Sequence, residues 1–272
     1  LQILYFGQIK LKSIILAAGE GKRLRPLTDN IPKCMVKLFG KSLLELQVDI
    51  LQKNGITDIS VVTGYQSELI KIPNVSYYKN EDFFKTNMVE TLFCAREKLN
   101  GEVIVSYGDI IFQENVLQNL IDSKNDYSVV VDQNWKEYWK IRFDNPLDDA
   151  ETLVLDDQNY ILDIGQKTNN LEQIQSQYIG LMKFQNHASD FIKDFYDKMK
   201  NNAKLGRNPL NAKIPFEKSY MTDFLQGLIN EKCRIKAIPI NNGWLELDSI
   251  NDYKIYQKKI QDGSIKKFIN FS

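Results

Sequence analysis

The chain has 272 residues, with 35 basic against 35 acidic side chains, 43% hydrophobic residues and 26% charged ones. That balance excludes a disordered, collagen-like or fibrous chain, and zero formal net charge gives no general drive toward nucleic acid or an anionic membrane surface. One histidine (His187) and three scattered cysteines (Cys34, Cys94, Cys233) leave no His-rich zinc site and no disulfide framework, so the expected setting is a reducing cytoplasm. No run approaches the ~20 apolar residues that cross a bilayer. Residues 1–7 are apolar but lack the basic start and cleavage site of a signal peptide.

Residues 12–18 (KSIILAA) form a continuous apolar run ending at Gly19, the pattern of a strand buried on both faces. Residues 42–53 carry Leu43, Leu46 and Leu51 at helical spacing and stop at Asn54-Gly55. A second buried strand over 58–63 closes at Gly64. A helix is predicted over 87–99, a strand over 102–106 leading into Tyr107-Gly108-Asp109, a helix over 114–123 and a strand over 127–131. Strand and helix in alternation predict an α/β, Rossmann-like fold: a mostly parallel sheet flanked by helices. After Val131 the texture changes. Residues 152–155 and 160–164 flank Asp156-Asp157-Gln158-Asn159 and read as a β-hairpin. A strand over 177–184, helices over 188–200, 220–229 and 249–260, and a strand over 234–240 complete the chain. The hairpin reads as a small β-region inserted into one domain, 1–272.

The most informative segment is LAAGEGKRLRPLTDNIPK, residues 16–33. A buried strand runs directly into Gly19-x-Gly21, with Lys22, Arg23 and Arg25 close behind and Lys33 after Pro32. Glycines let backbone N–H groups approach an anion, and clustered cations beside them suit a triphosphate or pyrophosphate. The bland reading is a surface turn with solvated charges. Two other phosphate loops are excluded. A dinucleotide fingerprint needs glycine where Leu24 stands, and a Walker A loop ending at Gly40-Lys41-Ser42 needs glycine where Met35 stands.

LAAGEGKRLRPLT followed by Pro32-Lys33 resembles the signature loop of the sugar-phosphate and cholinephosphate nucleotidyltransferases. Thr63-Gly64-Tyr65, Tyr107-Gly108-Asp109 and the late WLELDS, residues 244–249, agree in order over nearly the whole chain. The resemblance implies an enzyme in which an acceptor phosphate attacks the α-phosphorus of a nucleoside triphosphate and pyrophosphate leaves. It divides the chain into a nucleotide-binding half, 8–131, and an acceptor half, 132–272. By position, Leu16, Ala17, Ala18, Gly19, Glu20, Gly21, Lys22 and Gly108 would cradle the nucleotide. Arg23 would hold the β- and γ-phosphates, and Lys33 would neutralise charge at the α-phosphate. Asp109 and Asp248 would hold Mg2+, which favours one or two carboxylates plus phosphate oxygens, with Glu246 nearby. For Asp109 the alternative is an ordinary turn residue. Asn80, Thr86 and Asn87 are candidates for the base, although Thr86 and Asn87 equally suit capping of the next helix. Thr86-Asn87-Met88-Val89 is similar to the cholinephosphate cytidylyltransferase branch, which makes CTP the expected nucleotide.

Trp135, Tyr138 and Trp139 would share one face of a helix. They are either core or a cage for a cationic amine. Arg142, with Asp144, Asp148, Asp149 and Glu151 nearby, is a candidate grip on the acceptor's phosphate and amine, and Glu246 is a further candidate for binding the acceptor. Acceptors consistent with this are phosphocholine, phosphoethanolamine, an aminoalkylphosphonate or phosphoglutamine, the last known from capsule modification. The alternatives are a sugar-1-phosphate nucleotidyltransferase and a catalytically inactive regulatory subunit. Beyond CTP and the acceptor no partner is expected, and the chain is read as a monomer or homodimer.

Overall fold

The computed structural model describes residues 11–271, so residues 1–7 and their expected lack of a signal sequence lie outside the described residues. Among the described residues seven strands make the main sheet: β1 (Lys12–Ala17), β2 (Asp58–Thr63), β3 (Ser76–Lys79), β4 (Val103–Tyr107), β5 (Tyr127–Asp132), β6 (Gln177–Phe184) and β7 (Ile235–Ile240). Their order is β7-β5-β6-β4-β1-β2-β3. Only β6 runs antiparallel to its neighbours. The mostly parallel, Rossmann-like architecture follows from the buried strand runs.

Alternation along β1 divides the core. Ile15 and Ala17 face one apolar layer with helices α1 (Leu43–Lys53), α3 (Glu114–Asp122), α4 (Trp135–Arg142) and α7 (Ile250–Gln261). Ile14 and Leu16 face the other, with α2 (Met88–Cys94), α5 (Ala188–Lys204) and α6 (Met221–Asn230). Both faces of the sheet are therefore covered, as parallel strands require. Two helix starts are fixed by reciprocal capping boxes, Ser42 with Glu45 for α1 and Ser249 with Asp252 for α7.

Three features depart from the sequence reading. β3 carries almost no buried side chain, so as an edge strand it leaves no apolar pattern to read. The helix expected over 87–99 is α2 alone, followed by a separate 3-10 turn over Arg96–Lys98. A short antiparallel ribbon, Ile110–Phe112 against Trp244–Glu246, was not anticipated. The expected hairpin is present as Leu153–Leu155 against Ile161–Ile164.

The chain leaves β1 toward β2 on one side and returns to β4 on the other. The carboxyl ends of β1 and β4 thus form a switch-point crevice, where open α/β sheets bind ligands. No helix among the described residues is long and apolar enough to cross a membrane.

Candidate active site

The crevice is a cavity of about 390 Å3 bounded by the glycine loop after β1, the turn after β4, the start of α2 and the segment after the Trp244–Glu246 ribbon. Leu16, Ala17, Ala18, Gly19, Gly21, Lys22, Arg23 and Gly108 border it as expected; Glu20 does not. The Glu20 carboxylate turns back to Arg25 at 2.5 Å and Lys22 at 3.3 Å, which pins the loop.

Two glycines are required by geometry. Gly21 takes φ 71° ahead of a 3-10 turn carrying Arg23, and a Cβ there would stand 2.9 Å from Lys33 Cβ. At Gly108 a Cβ would fall 2.8 Å from the Leu16 carbonyl, which accepts the Gly108 N–H at 2.8 Å. The β4 turn can therefore lie against the end of β1.

Lys33, Asp109 and Asp248 meet at the floor. Lys33 Nζ donates to Asp109 Oδ2 at 2.6 Å and to Asp248 Oδ1 at 2.7 Å. The three side chains are only 12–15% exposed, so their attraction is screened less than at the surface while desolvation opposes it. Arg23, mostly exposed, pairs with the other Asp248 oxygen. Residues separated by most of the chain converge because the ribbon carries Trp244–Glu246 alongside Ile110–Phe112, and Leu247 N–H donates to the Asp109 carbonyl at 2.9 Å.

Charge follows from this packing. Burial alone would pull the Lys33 ammonium down, but Asp109, Asp248 and Glu246 together hold it above its ordinary value. Asp248 is also resisted by burial and is held below its ordinary value by Lys33, Arg23 and Arg142. Burial pushes Glu246 up against the pull of Arg142. Cys34 borders the cavity, and burial pushes its thiol up to about 12, so it is no nucleophile at neutral pH.

Among the described residues, no group of three or more His, Cys, Asp or Glu side chains forms a closed metal cage. A magnesium site needs less. Asp109 Oδ1 is buried without a hydrogen-bond partner among the described residues, beside a second carboxylate across a gap bridged by an ammonium. An unsatisfied carboxylate oxygen on this floor suits a hard divalent cation completed by phosphate oxygens and water.

Thr86 and Asn87 border the cavity, and so does Thr91, which sequence reasoning missed. Asn80 does not. It is buried and donates to Thr86 Oγ1 at 2.9 Å and Thr91 Oγ1 at 3.0 Å, holding both hydroxyls in place. Asn87 Oδ1 accepts from Met88 N–H at 2.8 Å as the α2 cap, and its amide donates to the Lys218 carbonyl. Phe83, Tyr107 and Tyr220 also line the cavity. Tyr107, next to Gly108, was within reach of the sequence. Tyr220 comes from beyond position 200 and carries no local signal.

The acceptor grip expected of α4 needs correction. Trp135 and Tyr138 are each only 1% exposed and border neither this cavity nor its neighbour, because their helix face packs into the core. Tyr138 OH instead accepts the Glu246 N–H at 2.8 Å. Arg142 is likewise buried, paired with Glu246 and Asp252 and stacked over Tyr138 and Trp139 at 5.3 and 5.6 Å. The cation over these rings is the protein's own. Trp139 and Glu246 alone of this set reach a cavity, and Glu246 borders both.

A family model described as a MobA-like NTP transferase domain matches residues 13–158. A CTP:phosphoglutamine cytidylyltransferase from Campylobacter jejuni is 38% identical over 261 residues, covering 92% of this chain and 100% of that protein. A choline-phosphate cytidylyltransferase from Streptococcus pneumoniae is 30% identical over 139 residues, covering 50% of this chain and 60% of that one. The solved CTP:phosphocholine cytidylyltransferase from Streptococcus pneumoniae shares the fold with a TM-score of 0.72 at 24% identity, over 92% of this chain and 99% of that chain. With its glycine loop and convergent Lys33, Asp109 and Asp248, the chain belongs to the MobA-like NTP transferase family and is a nucleotidyltransferase.

Proposed function

We propose that the protein is a cytidylyltransferase that couples CTP to a small phosphorylated amine or amino-acid-derived acceptor, of the phosphoglutamine or phosphocholine type, and releases pyrophosphate. The observation that carries this reading is the floor of the cavity: a glycine loop, Arg23 and Lys33 face two convergent carboxylates, in a chain alike along its whole matched length to a cytidylyltransferase.

The acceptor phosphate and the triphosphate are both anions, so catalysis is chiefly positioning and charge neutralisation. The loop N–H groups and Arg23 hold the β- and γ-phosphates, the leaving pyrophosphate. Lys33 carries a full positive charge at the floor, where negative charge grows at the α-phosphate. Asp109 and Asp248 would hold Mg2+, which screens the phosphate oxygens. Glu246, at the border of the second cavity, faces the incoming acceptor. No side chain need become covalently bound, which suits a site whose cysteine stays protonated.

The experiment is pyrophosphate release with CTP, UTP, GTP, ATP and dTTP against phosphoglutamine, phosphocholine, phosphoethanolamine and glucose 1-phosphate. CTP with a nitrogen-bearing acceptor should give the highest kcat/KM. Preference for glucose 1-phosphate would replace this reading with sugar-nucleotide synthesis.

A further inference from the structure

Past Glu246 a smaller cavity of about 170 Å3 adjoins the main one. The two share Met88, Tyr107, Tyr220 and Glu246 as walls. The smaller cavity lies where β6 slips register against β5 between Tyr178 and Met182. Gly180 in that slip takes φ 81°, and a Cβ on it would stand 2.5 Å from the Tyr107 ring. Only glycine lets that ring lie against the bulge. Trp139, Tyr178 and Trp244 add further aromatic wall.

Three carboxylates border this space: Glu246, shared with the main cavity and paired with Arg142, and Asp149 and Glu151, which differ from each other. Asp149 Oδ2 accepts from Trp139 Nε1 at 3.0 Å. Glu151 has its backbone groups tied to Gln177, at 3.1 and 2.5 Å, yet its carboxylate has no hydrogen bond or ion pair among the described residues. The ammonium of Lys167 is spent on the carbonyls of Asp148 and Asp149, at 3.4 and 2.6 Å. Burial pushes the Glu151 carboxyl up to about 7; Lys167 pulls it down, and Asp149 and Asp223 raise it further. A partly buried carboxylate without a partner, set among rings, lowers folding stability unless something else compensates it.

We infer that Glu151 reads a positively charged group on the acceptor, an ammonium at the end away from the phosphate, with Trp139 and Tyr178 as its aromatic walls. The phosphate then lies toward Glu246 and the main cavity, where the α-phosphorus is attacked. The inference rests on the cytidylyltransferase reading for the acceptor's phosphate, but the cavity and its free carboxylate stand apart from it. A cation supplies the partner Glu151 lacks, and the ring faces add attraction in a desolvated site.

The test uses the full chain and three probes, phosphocholine, phosphoethanolamine and the uncharged-ended glycerol 3-phosphate, by calorimetric binding. The wild type should bind the two cationic probes about tenfold or more tightly than glycerol 3-phosphate. Glu151→Gln should erase that preference and leave CTP affinity unchanged. Glu151→Asp, with its charge drawn back, should keep part of it and serves if the glutamine variant fails to fold. Glu151→Gln should also melt higher than wild type above neutral pH. The folded carboxyl titrates near 7 against a lower value when unfolded, so its penalty is absent in acid and grows as pH rises to that point. Equal binding of the three probes, no binding of any, or a preference that survives Glu151→Gln would overturn the inference. Pyrophosphate release with CTP is scored separately: its absence with every acceptor sinks the transferase reading, whereas the binding contrast decides Glu151.

Discussion

The guanidinium of Arg142 and the carboxylate of Asp252 meet in the interior, Nε to Oδ1 at 3.0 Å and Nη2 to Oδ2 at 3.4 Å. Asp252 Oδ2 also accepts the N–H groups of Asp248 at 3.1 Å and Ser249 at 2.8 Å. The residue that faces Lys33 is therefore suspended from a buried ion pair. Arg142→Leu strips the partner from Asp252 and Glu246 together, and breaking one side of a buried pair costs about 3–5 kcal/mol. Urea unfolding should show that loss. In protein that stays folded, kcat should fall while KM for CTP moves little, since Arg142 borders neither cavity. An unchanged unfolding midpoint would mean that the pair contributes nothing.

Asp109 offers a sharper chemical test. Its Oδ2 holds Lys33 and its Oδ1 has no partner among the described residues. Asp109→Ala should reduce kcat by a few hundredfold or more, about 3–4 kcal/mol on the scale of a lost electrostatic contact to the transition state. Pyrophosphate release across a magnesium titration would show it, with circular dichroism confirming the fold. Wild-type turnover at limiting magnesium would remove Asp109 from the site.

For Lys33 the expectation divides between binding and chemistry. Lys33→Ala should depress kcat far more than it raises KM for CTP, because the charge acts where negative charge develops. Arg23→Ala should harm both. The folded Lys33 titrates above its ordinary value, so its stabilising pairing is complete at neutral pH and is lost only as pH climbs through that raised value. Without Lys33, Asp109 and Asp248 face each other with only Arg23, paired to Asp248, and the charge of Arg142 in compensation. The variant should melt lower in EDTA and recover part of the loss on adding magnesium. A variant altered only in nucleotide KM would end the assignment to the α-phosphate.

The main strands and the glycine loop were legible because each is local: apolar runs for β1, β2 and β4, and Gly19, Gly21, Arg23 and Lys33 within one short stretch. Asp109 was legible from its place after a buried strand. Its meeting with Asp248 is set by a three-residue ribbon and one backbone hydrogen bond, too short for any periodicity to announce. The α4 stripe misled for the opposite reason. Aromatic spacing is the same for a cage and for a core; all three rings are buried, and only its place on a cavity wall distinguishes Trp139 from Trp135 and Tyr138. Glu151 stood among several acidic neighbours in the sequence, and what singles it out, a carboxylate without a partner among the described residues on a cavity wall, is set by packing alone.

Gln47 connects this positioning to a residue that no motif contains. It lies on α1, 1% exposed, with its amide donating to the Tyr107 carbonyl at 2.9 Å and the Ile110 carbonyl at 2.8 Å. Its Oε1 accepts from Ser106 Oγ at 2.8 Å. The side chain thus clamps both ends of the turn that carries Gly108 and Asp109. Gln47→Leu leaves two buried carbonyls and a hydroxyl short of partners, at a cost of about 1–3 kcal/mol in stability. Gln47→Glu keeps the shape but cannot donate when ionised, so it should be no better. Because Gln47 borders neither cavity, a looser Asp109 should appear as a higher magnesium requirement and a lower kcat, with KM for CTP nearly constant. Thermal melts and magnesium titrations of both variants measure the two effects separately. Stability lost with magnesium dependence unchanged would reduce Gln47 to a packing residue.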